Sequence, residues 1–394
     1  MPWEMKTVEQ TRKEFVLRVL AHEKSKSELC REYNISRPTG DKWIKRYLAG
    51  EDLGDHSRRP FHTPSRISDD AEARVVAKRL EMPAMGARKL QRIMQDENLE
   101  DVPSASTINR VLRRNGLITA EASRDATPVK RFEKEEPNEM WQSDFKGHFA
   151  LRDNTRCYPL SIIDDCSRFC LNADARTNMQ LDTTKASFIK AFRDYGLPKT
   201  LLCDNGSPWG SSQSTAITKF EVWLMEHDVM TTHIRPLRPQ TQGKVERFNR
   251  SYKNERLKYY VPKDMDDAQR TREEYRQIYN EIRPHTALDY DHPSQHYRPS
   301  EREYRDEVSE WEYDQGAIVR NVKSTGYLTF RGQGYYLSEG LGGKTVMLRE
   351  STTTDGVYRI VFRDFLVASL DIEKRLITNR RIYRLHGDPR SGKL

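Results

Sequence analysis

Residues 240–260 read "QTQGKVERFNRSYKNERLKYY". From Gly243 onward, Val245, Phe248 and Tyr252 recur at i, i+3 and i+7, the core-facing stripe of an amphipathic helix. The positions between them are polar and mostly cationic. Lys244, Arg247, Arg250 and Lys253 surround a single acid, Glu246, which is expected on the outward face together with Asn249, Arg250 and Lys253. An acid in that setting has two readings. It can neutralise its neighbours, as an i, i+4 partner of Arg250 would. It can also hold a metal ion where the cations draw in a phosphate backbone. The choice depends on whether other acids reach the same place.

Two others are candidates. Asp204 closes the apolar run "TLLCD" and precedes "NGSPWG", so it stands at the C-terminal end of a strand, where the Asn205-Gly206 turn aims its carboxylate out of the sheet. Asp144 lies in "EMWQSDFKGHF", a strand with Trp141 and Phe145 among its large residues. Between these points "YPLSIIDDCSRFCLNADA" reads as two strands turning at Asp164-Asp165, "TTKASFIKAFRDYG" as a helix and "KTLLC" as a strand. "AITKFEVWLMEHD" follows as a helix and "VMTTHI" as a strand. Three antiparallel strands followed by alternating helices and strands is the α/β layout of a ribonuclease H-like fold. Asp164 and Asp165 are expected to cap their hairpin, with Ser167 and Arg168 bonding locally. His148 and His233 are expected to be structural or to touch nucleic acid. Pro239, Gln240 and Gln242 shape the loop before the helix, where Gly243 leaves the backbone room.

"DFKG", "CDNGSPW" and "RPQTQGKVERFNRSYK" together resemble the three signature blocks of the retroviral-integrase-type DDE recombinase core. With helix-turn-helix-like stretches in front, the chain is most similar to bacterial insertion-sequence transposases, in particular the insertion-sequence family numbered 481. The core likeness covers about residues 136–300. It implies that the family's first Asp falls on Asp144, the second on Asp204 and the Glu on Glu246. The 41 positions between the last two (205 to 245) are more than retroviral integrases would suggest, and a longer flap before the last helix accounts for the excess. Carried over, the three acids are catalytic residues and ligands of Mg²⁺, with Mn²⁺ as a substitute and two ions per site. Mg²⁺ takes oxygen ligands and keeps several waters, so a few carboxylates plus substrate phosphate complete its shell. Two such ions about 3.5–4 Å apart can serve the attacking and leaving oxygens of an in-line displacement. Without a cation, three clustered acids would repel one another.

The rest of the composition agrees with a polyanionic partner. A formal net charge of +8 favours nucleic acid, and no apolar run is long enough to span a membrane. The five cysteines form no paired zinc spacing and are expected to be reduced thiols in a cytoplasmic, nucleoid-associated bacterial protein. In "SKSELCREYNISRPTGDKWIKRYLAG", Leu29 and Tyr33 share a face, Ser36 caps the next helix, and that helix buries Trp43, Ile44 and Tyr47. Phe15, Val19 and Leu20 of an earlier helix cover the pair. Arg37, Lys42, Lys45 and Arg46 are expected outward, as in the groove-entering helix of a helix-turn-helix. A second unit, "GARKLQRIMQDENL" then "SASTINRVLRRNGLI", the latter capped by Ser104 or Ser106 and ended by Gly116, presents Asn109, Arg110, Arg113 and Arg114. Between the two units, Gly54 to Arg66 form a basic stretch with Arg58 and Arg59, suited to track phosphates or simply to link.

The expected organisation is therefore multidomain. Helix-turn-helix domains occupy 1–60 and 61–118, a linker 119–138, the ribonuclease H-like core 139–300, a small all-β SH3-like barrel 301–370 and a basic tail 371–394. The barrel is expected to bind DNA non-specifically, to bridge protomers or to cap the core. The expected function is DNA cleavage and strand transfer at the terminal inverted repeats of an insertion sequence, by a homodimer or higher oligomer on double-stranded DNA. Two alternatives are a non-catalytic DNA-binding regulator with an integrase-like core and a ribonuclease H or resolvase-type nuclease. The latter would need neither two helix-turn-helix units nor the Pro-Gln-Thr-Gln-Gly-Lys block.

Overall fold

A computed structural model describes residues 6–55, 67–118, 133–145, 147–210, 217–233, 242–378 and 382–385. Arg58, Arg59, Pro239, Gln240 and most of the expected linker, 119–132, lie outside the described residues. The chain divides into two compact units, Met1–Arg66 and Ile67–Leu394.

The first unit is three helices: α1 (Val8–Leu20), α2 (Lys26–Glu32) and α3 (Arg37–Leu48). Each begins at a hydroxyl cap, Thr7, Ser25 and Ser36, whose oxygen accepts an otherwise unsatisfied backbone N–H of the first turn. Phe15, Val16, Leu29, Cys30, Trp43 and Leu53 form the core. Two expectations are corrected here. Leu20 is 40% exposed and Val16 takes its place. Arg46 is buried, because the chain folds back after α3 and its guanidinium donates to the carbonyls of Asp52 and Gly54.

The second unit opens with another helical trio: α4 (Asp69–Glu81), α5 (Ala87–Asp96) and α6 (Ala105–Arg114). Ser104 caps α6, and Gly116 adopts the positive φ that ends it. Leu90, Ile93, Ile108, Val111 and Leu112 are buried between the helices. This trio rests on the connector behind the core. His292 Nε2 lies 2.9 Å from the Asp96 carboxylate, and Arg92 pairs with Asp291 at 3.3 Å.

The core runs β1 (Met140–Phe145), β2 (Phe149–Ala150), β3 (Arg156–Asp164), β4 (Cys170–Arg176), α7 (Leu181–Tyr195), β5 (Thr200–Cys203), α8 (Lys219–Glu226), β6 (Met230–His233) and α9 (Gly243–Tyr252). α10 (Met265–Gln277) and the short α11 (Pro293–His296) complete the connector. The sheet order is β4-β3-β1-β5-β6, with β2 on the edge of β3. β1, β3 and β4 are antiparallel neighbours, while β5 and β6 join parallel to β1, as ribonuclease H-like folds require. Strand alternation sorts the two faces. Trp141, Leu201 and Cys203 pack under α7 and α8 with Phe188, Phe192, Phe220 and Trp223. On the other face Ile163 packs under α9 and α10 with Val245, Phe248, Tyr252 and Tyr275. Gln142 and Asp144, opposite Ile163 and Ser161 on β3, belong to this second face.

The C-terminal part is all-β: β7 (Ile318–Asn321), β8 (Tyr327–Phe330), β9 (Gln333–Tyr336), β10 (Thr345–Glu350), β11 (Val357–Phe362), β12 (Phe365–Asp371), β13 (Leu376–Thr378) and β14 (Tyr383–Arg384). Its strand pairing differs from a closed ladder. One sheet runs β13-β12-β11-β10-β7, with β14 also on β12, and β8-β9 is a separate hairpin. The expected tail is corrected in part, since residues 376–378 and 383–384 are sheet edges. Leu370↔Ile377 pairing buries Ile377.

The β part shares apolar packing with the ribonuclease H-like core. Ile217, Val222 and Met225, at and within α8, pack directly against Leu337, Leu341 and Val346. Ser338 Oγ donates to Ile217 O at 2.6 Å, and Lys344 pairs with Glu226. A Cβ on Gly340 would lie 2.2 Å from Ile217 O and 2.8 Å from the Thr218 carbonyl carbon, both backbone atoms. Gly340→Ala is therefore expected to cost about 1–3 kcal/mol through overpacking. Urea unfolding measures this, and an unchanged midpoint would refute the close approach.

Candidate active site

β1 and β5 are in parallel register from Met140↔Thr200 to Gln142↔Leu202. Continued two residues, that register sets Asp144 beside Asp204, on neighbouring strands about 4.8 Å apart. Both then belong to the face that α9 covers. Asp144 and Glu246 line one open cleft of about 630 Å³ together with Phe145, Gly147, Arg250, Lys253 and Asn254. Asp204 sits at the end of β5, half-buried, and its Oδ1 accepts from Gly206 N at 2.9 Å.

The position of Glu246 is imposed by how α9 is tied to β1. The helix has no side-chain cap of its own. Gln142 supplies one from the strand: its Oε1 accepts from Lys244 N at 3.3 Å and Val245 N at 3.4 Å, while its Nε2 donates to Asp165. Gln242 Nε2 donates to Ser143 O at 2.7 Å. One turn beyond Glu246, Asn249 Nδ2 donates to Asp144 Oδ2 at 3.4 Å. The acid on the helix is thus bracketed by two attachments to the strand that carries the other acid. Neither Gln142 nor Gln242 has a sequence signal for this, because a glutamine in a strand looks like any polar residue.

Several expected positions move. Asn249 is buried, not outward: its Oδ1 accepts from Ser161 Oγ at 2.8 Å, because α9 is pressed flat on β3. Lys244 also turns inward and pairs with the fully buried Asp165 at 2.5 Å, a charge that needs a partner. Arg247, Arg250 and Lys253 remain exposed beside Glu246. Asp164 caps its hairpin as expected, whereas the Asp165 carboxylate departs from that expectation and is held by Lys134 N, Gln142 and Lys244. Asp164 accepts from Ser167 N, Ser167 Oγ and Asn138 N, and burial raises its carboxyl pKa despite those bonds. His148 contacts the Tyr158 ring. His233 lies 2.8 Å from Glu221 and 2.8 Å from Asp204 O; burial lowers its pKa, but the Cys203 and Glu221 contacts raise it to about 11. It ties β6 to β5 behind the acids.

Of the expected DNA-contacting side chains on the helical units, Arg37, Lys42 and Lys45 are exposed on α3. Arg110 and Arg113 are exposed on α6, and Asn109 is half-buried. Arg114 is engaged by Glu72 of α4.

A hard divalent cation takes oxygen ligands. The acids are oxygen donors only, they share one sheet face, and two of them line one cleft, which suits such an ion. As placed, no three His, Cys, Asp or Glu side chains converge to hold a metal among the described residues. Asp204 is the member directed elsewhere, towards its own turn.

Comparison with known proteins agrees with this layout. Residues 134–239 and 227–293 match integrase core domain models, and 317–378 match the C-terminal domain of IS481 family transposases. Residues 11–61 match a helix-turn-helix domain and 39–112 a homeodomain-like domain. Transposase InsD for insertion element IS2 of Escherichia coli is 24% identical over 251 residues, 59% of this chain and 81% of that one. An uncharacterized 31.7 kDa protein of insertion element IS407 from Burkholderia multivorans is 25% identical over 236 residues, 59% of this chain and 82% of that one. The magnesium-bound catalytic core of the integrase of HTLV-2 aligns with 41% of this chain and 99% of its own, at 19% identity and a TM-score of 0.33. No helix among the described residues is long and apolar enough to cross a membrane.

Proposed function

We propose that this chain, which matches integrase core, helix-turn-helix and IS481 transposase C-terminal domain models, is an insertion-element transposase that cleaves and joins the DNA ends of its own element. The observation that supports this reading is the parallel β1–β5 register up to Gln142↔Leu202, two residues short of Asp144 and Asp204, together with the cleft that Asp144 shares with Glu246. The reaction is phosphoryl transfer at a phosphodiester. Hydrolysis breaks one P–O bond at each element end and leaves a 3′-hydroxyl. That hydroxyl then attacks a target phosphodiester, so one P–O bond forms as another breaks and no ATP is needed.

Asp144, Asp204 and Glu246 would hold Mg²⁺ or Mn²⁺, two ions per site. When bound, such ions supply activation of the attacking oxygen and charge neutralisation at the leaving one. The chain's own cations do the positioning. Arg247, Arg250 and Lys253 lead the phosphate backbone along α9 to the acids, and the exposed residues of α3 and α6 hold the terminal inverted repeats. Since an element has two ends, the working species is at least a dimer on double-stranded DNA.

The decisive experiment uses the DNA flanking this protein's own gene, with purified protein, Mg²⁺ or Mn²⁺ and a supercoiled target plasmid, followed by sequencing of junctions. Joined element ends support the proposal. Binding to those ends without metal-dependent breakage would place a non-catalytic regulator first. The DNA-contact role of α6 has its own check. Replacing Arg110 and Arg113 by alanine is expected to reduce the slope of log K against log salt by about 0.9 per lost phosphate contact. An unchanged slope in filter-binding or fluorescence titrations excludes that role.

A further inference from the structure

Arg272 stands in the middle of α10, 1% exposed, and forms no ion pair among the described residues. A guanidinium taken from water normally keeps a carboxylate beside it, since removing the charge from solvent costs several kcal/mol. This one instead points into the sheet face of the acids. Nη2 donates to Leu160 O at 3.1 Å and to Ser161 Oγ at 2.9 Å, and the group lies 4.9 Å from the Tyr252 ring centroid.

We propose that Arg272 is a positioning residue that orients the Asp144 carboxylate through Ser161 and Asn249, a proposal that rests on Asp144 being a metal ligand. The reasoning is one of hydrogen-bond polarity. A guanidinium can only donate. Ser161 Oγ accepts that bond, so its own hydrogen goes to Asn249 Oδ1 at 2.8 Å. With Oδ1 occupied as the acceptor, the amide presents Nδ2 to Asp144 Oδ2. The chain therefore ends in a donor aimed at the carboxylate of a residue that lines the cleft. Remove the cation and the serine hydroxyl is released to accept from Asn249; the amide can then turn over and present its oxygen to the carboxylate, which repels it. Hydrogen bonds in such a buried series reinforce one another. The side chain that sets the direction belongs to a helix outside the three signature blocks, about 130 positions from Asp144 in sequence.

The test measures Mn²⁺ binding to the full chain by the electron paramagnetic resonance of the free ion, alongside thermal unfolding. Asp144→Asn is the control for the underlying reading: if it leaves Mn²⁺ affinity unchanged, the acid assignment fails, independently of Arg272. With that control positive, Arg272→Met is expected to weaken Mn²⁺ binding about 10-fold, the scale of lost outer partners of metal ligands. Ser161→Ala should weaken it similarly, and the double variant should be no worse than either single one, because both cut the same series. Arg272→Lys, which still only donates, should retain most of the affinity. Additive losses, a lysine no better than methionine, or wild-type affinity in Ser161→Ala would each overturn the proposal. Should Arg272→Met fail to fold, Ser161→Ala decides alone, since it removes one hydroxyl and little packing.

Discussion

Glu246→Gln is expected to reduce strand transfer on the order of 10³-fold or more, the scale seen when a group stabilising charge in the transition state is removed, while binding to element ends is retained. Asp144→Asn and Asp204→Asn should behave alike. The argument is electrostatic. Each substitution keeps the shape of the side chain and removes one negative charge, for Asp144 and Glu246 from a cleft they share beside the exposed cations Arg250 and Lys253. Losing that charge cannot weaken attraction for a polyanion, so binding should hold or tighten. Nor should the fold suffer, because the like charges repel one another in the absence of a cation. Joining assays, gel-shift titrations and thermal unfolding on the same preparations separate the three effects. Parallel loss of joining and binding would sink the assignment of these residues as metal ligands.

Trp141→Ala is expected to destabilise the second unit by about 3–5 kcal/mol, the usual cost of truncating a large buried aromatic. The side chain is fully buried, its ring centroid lies 5.7 Å from that of Phe192, and Nε1 donates to Asn138 Oδ1 at 3.0 Å. The same oxygen accepts from Tyr297 at 2.9 Å, so the loss would also loosen the connector where it meets β1. Urea unfolding followed through the remaining tryptophans should show a lower midpoint. Trp141 and Asp144 project from opposite faces of one strand. The surviving folded protein should therefore keep its joining activity well below the new transition, the reverse of the acid variants. A midpoint within error of wild type would mean that this side of the sheet is packed differently.

Much of this was legible in one dimension. The stripe Val245, Phe248, Tyr252 lies on the buried face of α9, the run before Asp204 is a strand with that acid at its end, and the hydroxyl caps Ser36 and Ser104 start their helices. Periodicity and capping are local, and they survive folding because each is satisfied within a few residues. What failed was the direction of polar side chains. Asn249, Lys244 and Arg46 each sit at a position whose helical phase alone suggests solvent, yet each turns inward to a partner distant in sequence or brought back by a turn. Helical phase cannot see a buried Asp165 or a carbonyl from a returning chain.

The likeness of the three blocks in the sequence by itself determined the class of core. Only the tertiary structure decided that β1 and β5 run in parallel towards Asp144 and Asp204, that Gln142 caps α9 from a strand about 100 residues away, and that the β part is one wall of the core against α8. Each of these is a contact between surfaces far apart along the chain. Its energy comes from burying apolar area and pairing desolvated polar atoms once both sides are present, and neither side carries it alone.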